Sequence, residues 1–264
     1  MVGSQISGEF KLFISFCSLF CIDLLLIMTE TIERNDAALF GDSFAFGLLQ
    51  HLLNKGFNVA NVGEALKSSD LYGRVHLMGR LGGTTSHLYE LFDRLDIKKK
   101  KSLQTVIIDI GTNELANDCS PNRCLLVAYK IMEFAEVLIK EWGVKHVIVC
   151  QVLPRVEGLA PHIDPKQFWE AMQRTNSFLI DWCEPESQIH YWVHQGFWDR
   201  PLVAGGFDNW SLDGIHPNSA IGRKLYKSSL RRALMRGRQK SLGSTRTRGG
   251  KAGKKSRDKK KGKK

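Results

Sequence analysis

No C-x-x-C pair occurs among the six cysteines, and no thiol, carboxylate or histidine stands at a metal-ligand spacing from another. No metal and no cofactor is therefore expected. His51, His76, His146, His162, His190 and His194 receive no role on the same ground. There is no internal repeat, which excludes a solenoid or an array. Acidic residues nearly vanish after Gly237, where Asp258 stands alone. Long apolar runs are scarce too. The single candidate, Leu12 to Met28, lacks a basic flank beyond Lys11 and a small-residue cleavage site, which speaks against a secretory signal. It is short for a membrane span and carries Asp23 in its middle, which is costly in lipid. An anchor, a signal and a leader preceding a true start at Met28 all stay open for residues 1–34. Membrane association is not expected. Reduced thiols in an intracellular protein are the simplest reading of the cysteines.

What is present is a chain of 264 residues, 43% hydrophobic and 25% charged, long enough to bury one full core. The net charge of +11 is uneven. From Arg236 to Lys264 fourteen Lys and Arg face one Asp, a net of +13, which leaves residues 1–235 at −2. The pattern divides the chain into the leader, a folded domain over 35–236 and a basic tail over 237–264. The tail has almost nothing to bury and is expected to be disordered.

The domain reads as strands alternating with helices. Asp36 to Gly41 is a short apolar run, and an amphipathic stretch starts at once after Asp42-Ser43. That predicts a strand feeding a helix through a turn, with Gly41 allowing the tight turn. Further strands are expected at 74–78, 105–110, 146–152 and 189–193. Helices are expected at 44–53, 85–95, 123–142 and 166–182, with a last one opened by Asp213 to Asn218 and ending near Met235. Lys98 to Lys101 reads as a solvated loop. Five strands with intervening helices predict an α/β fold with a parallel sheet covered on both faces.

Three strand ends or loops carry polar residues suited to one reaction. Ser43 lies at the carboxyl end of the first strand, where open α/β sheets bind ligands. Alone, Asp42-Ser43 reads more simply as a helix cap, and the later stretches reverse that. Asp213 and His216 lie three apart on one turn and can face the same cleft. An imidazole can take the proton of a serine hydroxyl, and a carboxylate can hold the imidazole in the right tautomer. Gly83 and Asn113 each follow a strand. Together with the Ser43 amide they would give three donors to an oxyanion. The serine follows the first strand and Ala45 replaces the second glycine of G-x-S-x-G, unlike the α/β-hydrolase nucleophile turn. His87 reads as a surface or supporting residue of the helix after Gly83. Arg155 can reach the edge that holds Ser43. Trp192, Phe197, Trp198, Phe207 and Trp210 form either a substrate pocket or packing around the Asp213 turn.

With these blocks in this order, residues 36–235 resemble the SGNH hydrolase superfamily, also called the GDSL esterases. The matching residues are Gly41-Asp42-Ser43, Gly83, Gly111-Thr112-Asn113 and Asp213-Gly214-Ile215-His216. The third block departs from the usual Gly-x-Asn-Asp by carrying Glu114. Gly83 is preferred to Gly82 because Thr84-Thr85 follow it. The resemblance implies a flavodoxin-like three-layer α/β/α sandwich with a five-stranded parallel sheet. It also implies metal-free hydrolysis of esters, thioesters or acetyl groups on a small acylated substrate. An esterase domain beside a basic segment is also similar to the arrangement in LINE-type retrotransposon proteins. Non-specific nucleic-acid binding through the tail, a nuclear address and a merely solubilising end are the readings of that segment.

The charge division makes a prediction. A chain ending at Met235 should lose most affinity for single-stranded RNA, while log K of the intact chain falls by about 0.7 per phosphate neutralised for each unit of log salt. Fluorescence anisotropy across a salt series checks this. Equal binding by both chains would move the site onto the folded domain.

Overall fold

The computed structural model describes residues 35–58, 62–183, 187–195, 197 and 211–243. The expectations for Leu12 to Met28, for most of the tail, and for Trp198, Phe207 and Trp210 lie outside them. Among the described residues no helix is long and apolar enough to cross a membrane.

The chain begins with β1 (Asp36–Gly41), α1 (Ser43–Asn54) and the short α2 (Val62–Ala65). β2 (Val75–Gly79) leads through a 3₁₀ turn, Thr85–His87, to α3 (Leu88–Asp93) and α4 (Ile97–Ser102). β3 (Leu103–Asp109) is followed by α5 (Thr112–Leu115) and α6 (Pro121–Lys140). β4 (His146–Cys150), α7 (Pro165–Trp182), β5 (Ile189–Trp192) and α8 (Ala220–Gly243) complete it. The five strands are all parallel in the order β2-β1-β3-β4-β5, so the sheet is the expected flavodoxin-like one.

Both faces of the sheet are covered, and the strands divide their residues between them. Ala38, Phe40, Val106, Ile108, Val147 and Val149 pack with α3, α6 and α7. Their neighbours Leu39, Ile107, Ile148 and Cys150 pack on the other face with α1 and α8. Burial on both sides is why these strands are unbroken apolar runs in the sequence. α6 and α7 start with the Ser120 and Asp164 caps, each followed by Pro at the first helical position.

Two expectations change. Lys98 to Lys101 belong to a helix, α4, not to a loop. Asp96 caps it by accepting the Lys99 N–H at 2.9 Å. Lys100 is nearly buried, with its ammonium 4.5 Å from the Phe92 ring centre and 2.8 Å from Asp93. The last helix starts later, at Ala220, and runs past Met235 to Gly243. Contacts with the sheet explain the extension. Tyr72 Oη donates to the Leu234 carbonyl at 2.8 Å. A Cβ on Gly237 would come within 2.7 Å of the Thr105 side chain, so the helix lies directly on β3 there. Arg238 donates to Gln104 (2.8 Å) and Asn35 (3.1 Å).

A cut that spares the domain therefore falls after Gly243. A chain ending at Met235 should melt several degrees lower than one ending at Gly243, since it loses the Gly237 packing and both Arg238 bonds. That is about 1–2 kcal/mol for bonds of this kind. Thermal unfolding followed by circular dichroism compares them. Equal melting temperatures would make 236–243 a passive extension.

Candidate active site

Gly41, Gly79 and Asp109 are register partners at the carboxyl ends of the adjacent strands β1, β2 and β3. Gly41 does not need a left-handed backbone, contrary to the reason that its place in a turn suggests. It needs to be small. A Cβ there would stand 2.6 Å from Ala45 Cβ, and one on Gly79 would stand 2.2 Å from the Phe46 nitrogen. The first turn of α1 thus rests on two glycines. Asp42 caps that turn, accepting the Phe44 N–H at 2.9 Å. The cap reading of Asp42 holds, and it coexists with the placement of Ser43 on the first turn, where helix N–H groups lack partners from a preceding turn.

Ser43 Oγ is 2.9 Å from His216 Nε2, although 173 residues separate them in the chain. His216 Nδ1 is 2.8 Å from Asp213 Oδ2. A carboxylate only accepts, so Nδ1 carries the proton and Nε2 is free to receive one from the serine. Asp213 Oδ1 also accepts the N–H groups of His216 (2.8 Å) and Ile215 (3.0 Å). Burial alone would raise its pKa, but these bonds outweigh it and hold the carboxyl at about 2. The Asp213 to Asn218 segment is a bend ahead of α8, not its first turn. The Phe44 ring stands edge-on to the imidazole, 5.7 Å between centres.

Asn113 begins the turn after β3. Its Nδ2 donates to the Gly83 carbonyl at 2.8 Å, and its Oδ1 accepts from Arg155 at 2.9 Å. Arginine only donates and a carbonyl only accepts, so the amide can face only one way. Arg155 thereby acquires a definite place: buried, it fixes the orientation of Asn113. Its burial lowers its pKa, while Asp42 and Asp213 favour its charged form. Gly83 packs against Asp42, with a Cβ position 3.2 Å from the Asp42 Cα. Its N–H is given to the Arg80 carbonyl at 3.1 Å, so it is not a free donor. Glu114, the departure from the usual third block, accepts the Thr85 N–H and ties the Asn113 turn to the one after Gly83. His87 Nδ1 lies 3.0 Å from the Thr84 nitrogen, which makes it part of that turn.

Of the aromatic residues open to a pocket or a packing role, the two that are described pack. Phe197 packs in the core beside Tyr226, and Trp192 donates to Ser229 at 3.0 Å. The cleft beside Ser43, about 320 Å³, is lined instead by Phe44, Phe46, Leu48, Leu81, Pro217 and Tyr226. The clue available in the sequence was the helical spacing of Phe44 and Leu48. Leu81 and Pro217 carry no pattern of their own.

Beneath Ser43 lies a buried polar cluster that the sequence did not disclose. Tyr226 donates to Asp109, and His194 Nε2 lies 3.6 Å from the same carboxylate. Asp109, Cys150 and His194 bring possible ligand atoms within 4.8 Å of one another, a grouping not visible in their sequence spacing. Asp109 is already engaged by Tyr226, and His194 Nδ1 lies 3.0 Å from Ser229 Oγ. The Cys150 thiol is pushed up by burial and by Asp109.

The chain matches no family model, and no curated sequence matches it at the significance that solved structures reach. Solved structures do match. A GDSL-like lipase from Bacteroides thetaiotaomicron superimposes with a TM-score of 0.53 at 18% identity, over 77% of this chain and 89% of that one. A candidate acylhydrolase from Bacteroides fragilis gives 0.54 at 17% identity, over 77% and 88%. At such identities the likeness is one of fold.

Burial, together with the charge of Asp109, raises the pKa of Asp42 from 3.8 to about 8. Between those values the folded chain holds a proton that the unfolded chain has lost, so stability falls as pH rises through that window. Replacing the carboxyl in Asp42→Asn should flatten the fall, by on the order of a few kcal/mol across pH 4–9. Urea midpoints at several pH values test it. Parallel curves for both proteins would show that Asp42 titrates normally.

Proposed function

We propose that the chain is a serine esterase of the SGNH type. The observation that carries this reading is the unbroken relay Ser43–His216–Asp213, with both contacts under 3 Å and Asn113 held beside it. Ser43 Oγ attacks the acyl carbonyl while His216 Nε2 takes its proton. The carbonyl oxygen becomes an oxyanion facing the Ser43 N–H and the second Nδ2 hydrogen of Asn113. Gly83 would add a third donor only by releasing the Arg80 carbonyl. Collapse expels the alcohol, which takes the proton from His216. Water, deprotonated by the same imidazole, then attacks the acyl-serine, and loss of the acid restores Ser43.

Asp213 stays ionised throughout, in keeping with its low pKa. It holds the tautomer and steadies the imidazolium. The apolar cleft beside Ser43 suits the non-reacting part of an acylated substrate. Nucleic-acid binding by the tail is a second, compatible proposal, supported by the eleven Lys and Arg against one Asp in residues 244–264.

Ser43→Ala should lose fluorophosphonate labelling and all hydrolysis of p-nitrophenyl esters while melting normally. Asn113→Ala should keep its KM and lose about 10²–10³ in kcat, the usual loss for one oxyanion donor. Undiminished labelling of the Ser43 variant would refute the assignment of the nucleophile.

A further inference from the structure

The cleft at Ser43 does not end in solvent on every side. Leu48 and Arg223 line it and also line a second cavity of about 380 Å³ between α1 and α8. That second cavity differs in character. His51 and Lys55 face it from α1 and its cap, Arg223, Lys224 and Lys227 from α8, and Leu52 and Phe57 form part of its floor. The spacing explains the assembly. Residues 48, 52 and 55 lie on one face of α1, and 220, 223, 224 and 227 on one face of α8. No carboxylate lines the cavity, and none of these cations is ion-paired among the described residues.

Four permanent cations around one cavity repel one another, and an anion among them would relieve that. The strain is visible in two of the groups. Burial and then Arg223, Lys55 and Lys227 lower the pKa of His51. Burial and then Lys55 and Lys67 lower that of Lys227. A site that discourages its own charges is one that a dianion would relieve.

We infer that the joined cavities form one substrate groove, in which an ester reacts at Ser43 and a phosphate on the same molecule seats among Lys55, Arg223, Lys224 and Lys227. The proposal rests on the esterase reading for the reacting group, not for the anion. A helical rise of 1.5 Å per residue sets the span: Leu48 lies about 7 Å along α1 from Ser43, and Lys55 about 18 Å. The intervening wall is apolar, with Phe44, Leu48 and Leu52. The arm between ester and phosphate is therefore apolar and several bonds long. A nucleic-acid strand fits less well, since it would ask for a run of exposed aromatic platforms, and the basic cavity offers Phe57 alone.

The test reads binding, so that it stands apart from turnover. Calorimetry on full-length Ser43→Ala protein uses octyl phosphate below its micelle concentration, 1-octanol and inorganic phosphate. Octyl phosphate should bind about tenfold or more tightly than either fragment, as charge-assisted bonds added to apolar contact predict. The further changes Lys224→Gln and Lys227→Gln should remove about tenfold of that affinity and leave octanol binding as it was. Lys166→Gln, an exposed charge at the start of α7, should change nothing. Octanol binding as well as octyl phosphate would overturn the proposal. So would inorganic phosphate binding as tightly, which would mark a free-anion site. Tighter binding of a short single-stranded RNA that displaces octyl phosphate would give the groove to nucleic acid and overturn it too. Loss of fluorophosphonate labelling at Ser43 is measured separately, so failure of the esterase reading is not mistaken for failure of the groove.

Discussion

Everything at the sheet's active edge depends on how closely the first turn of α1 approaches β1 and β2. Two missing side chains permit that approach. A methyl group at Gly79 would overlap the Phe46 backbone, and one at Gly41 would meet Ala45. Overpacking of that kind costs roughly 1–3 kcal/mol and is relieved by backbone movement. Here any relief would lift Ser43 away from His216. The glycines thus set the position of a hydroxyl without touching it.

The same close approach creates an electrostatic problem under the nucleophile. Asp42 and Asp109 are both buried, and the Asp42 N–H donates to the Asp109 carbonyl at 3.3 Å. Two nearby buried carboxylates cannot both be ionised cheaply. Protonation of Asp42, the hydroxyl of Tyr226 on Asp109 and the buried charge of Arg155 together ease the conflict. Arg155 serves the site twice, since the guanidinium whose charge favours the ionised form of Asp42 also fixes Asn113. Tyr226, buried against both Phe44 and Asp109, joins this interior to the wall of the substrate cleft.

The sheet was legible in the sequence because burial on both faces leaves the central strands β1, β3 and β4 with apolar runs at 37–40, 106–108 and 147–150. The relay was legible because its members fall at strand ends and loops, where polar residues interrupt that apolar pattern. What was hidden shares one cause: it comes from distant segments meeting. Leu81 and Pro217 carry no periodic signal, yet both line the cleft. His194 and Cys150 have no meaningful spacing until β4 and the β5 end bring them to Asp109. Lys98 to Lys101 looked like a solvated run because composition cannot reveal that Phe92 and Trp142 would shelter Lys100. The end of α8 was placed too early for a similar reason. A Gly-Arg sequence looks like a boundary until Thr105 and Gln104 are seen beneath it.

The relay also has a history in time. Ser43 and His216, its proposed base, stand 173 residues apart, and His216 comes just before the helix that lies across the sheet. A growing chain could arrange β1 to β4 with the serine in place and still have nothing to take its proton. Closure of so long a loop is among the slower steps for a parallel fold, and it waits on the segment that leads from β5 into α8. The hydroxyl of an unfinished chain is then only that of an ordinary alcohol. If Ser43 reacts as proposed, its competence arrives only when the Asp213 turn reaches it, together with completion of the second hydrophobic layer.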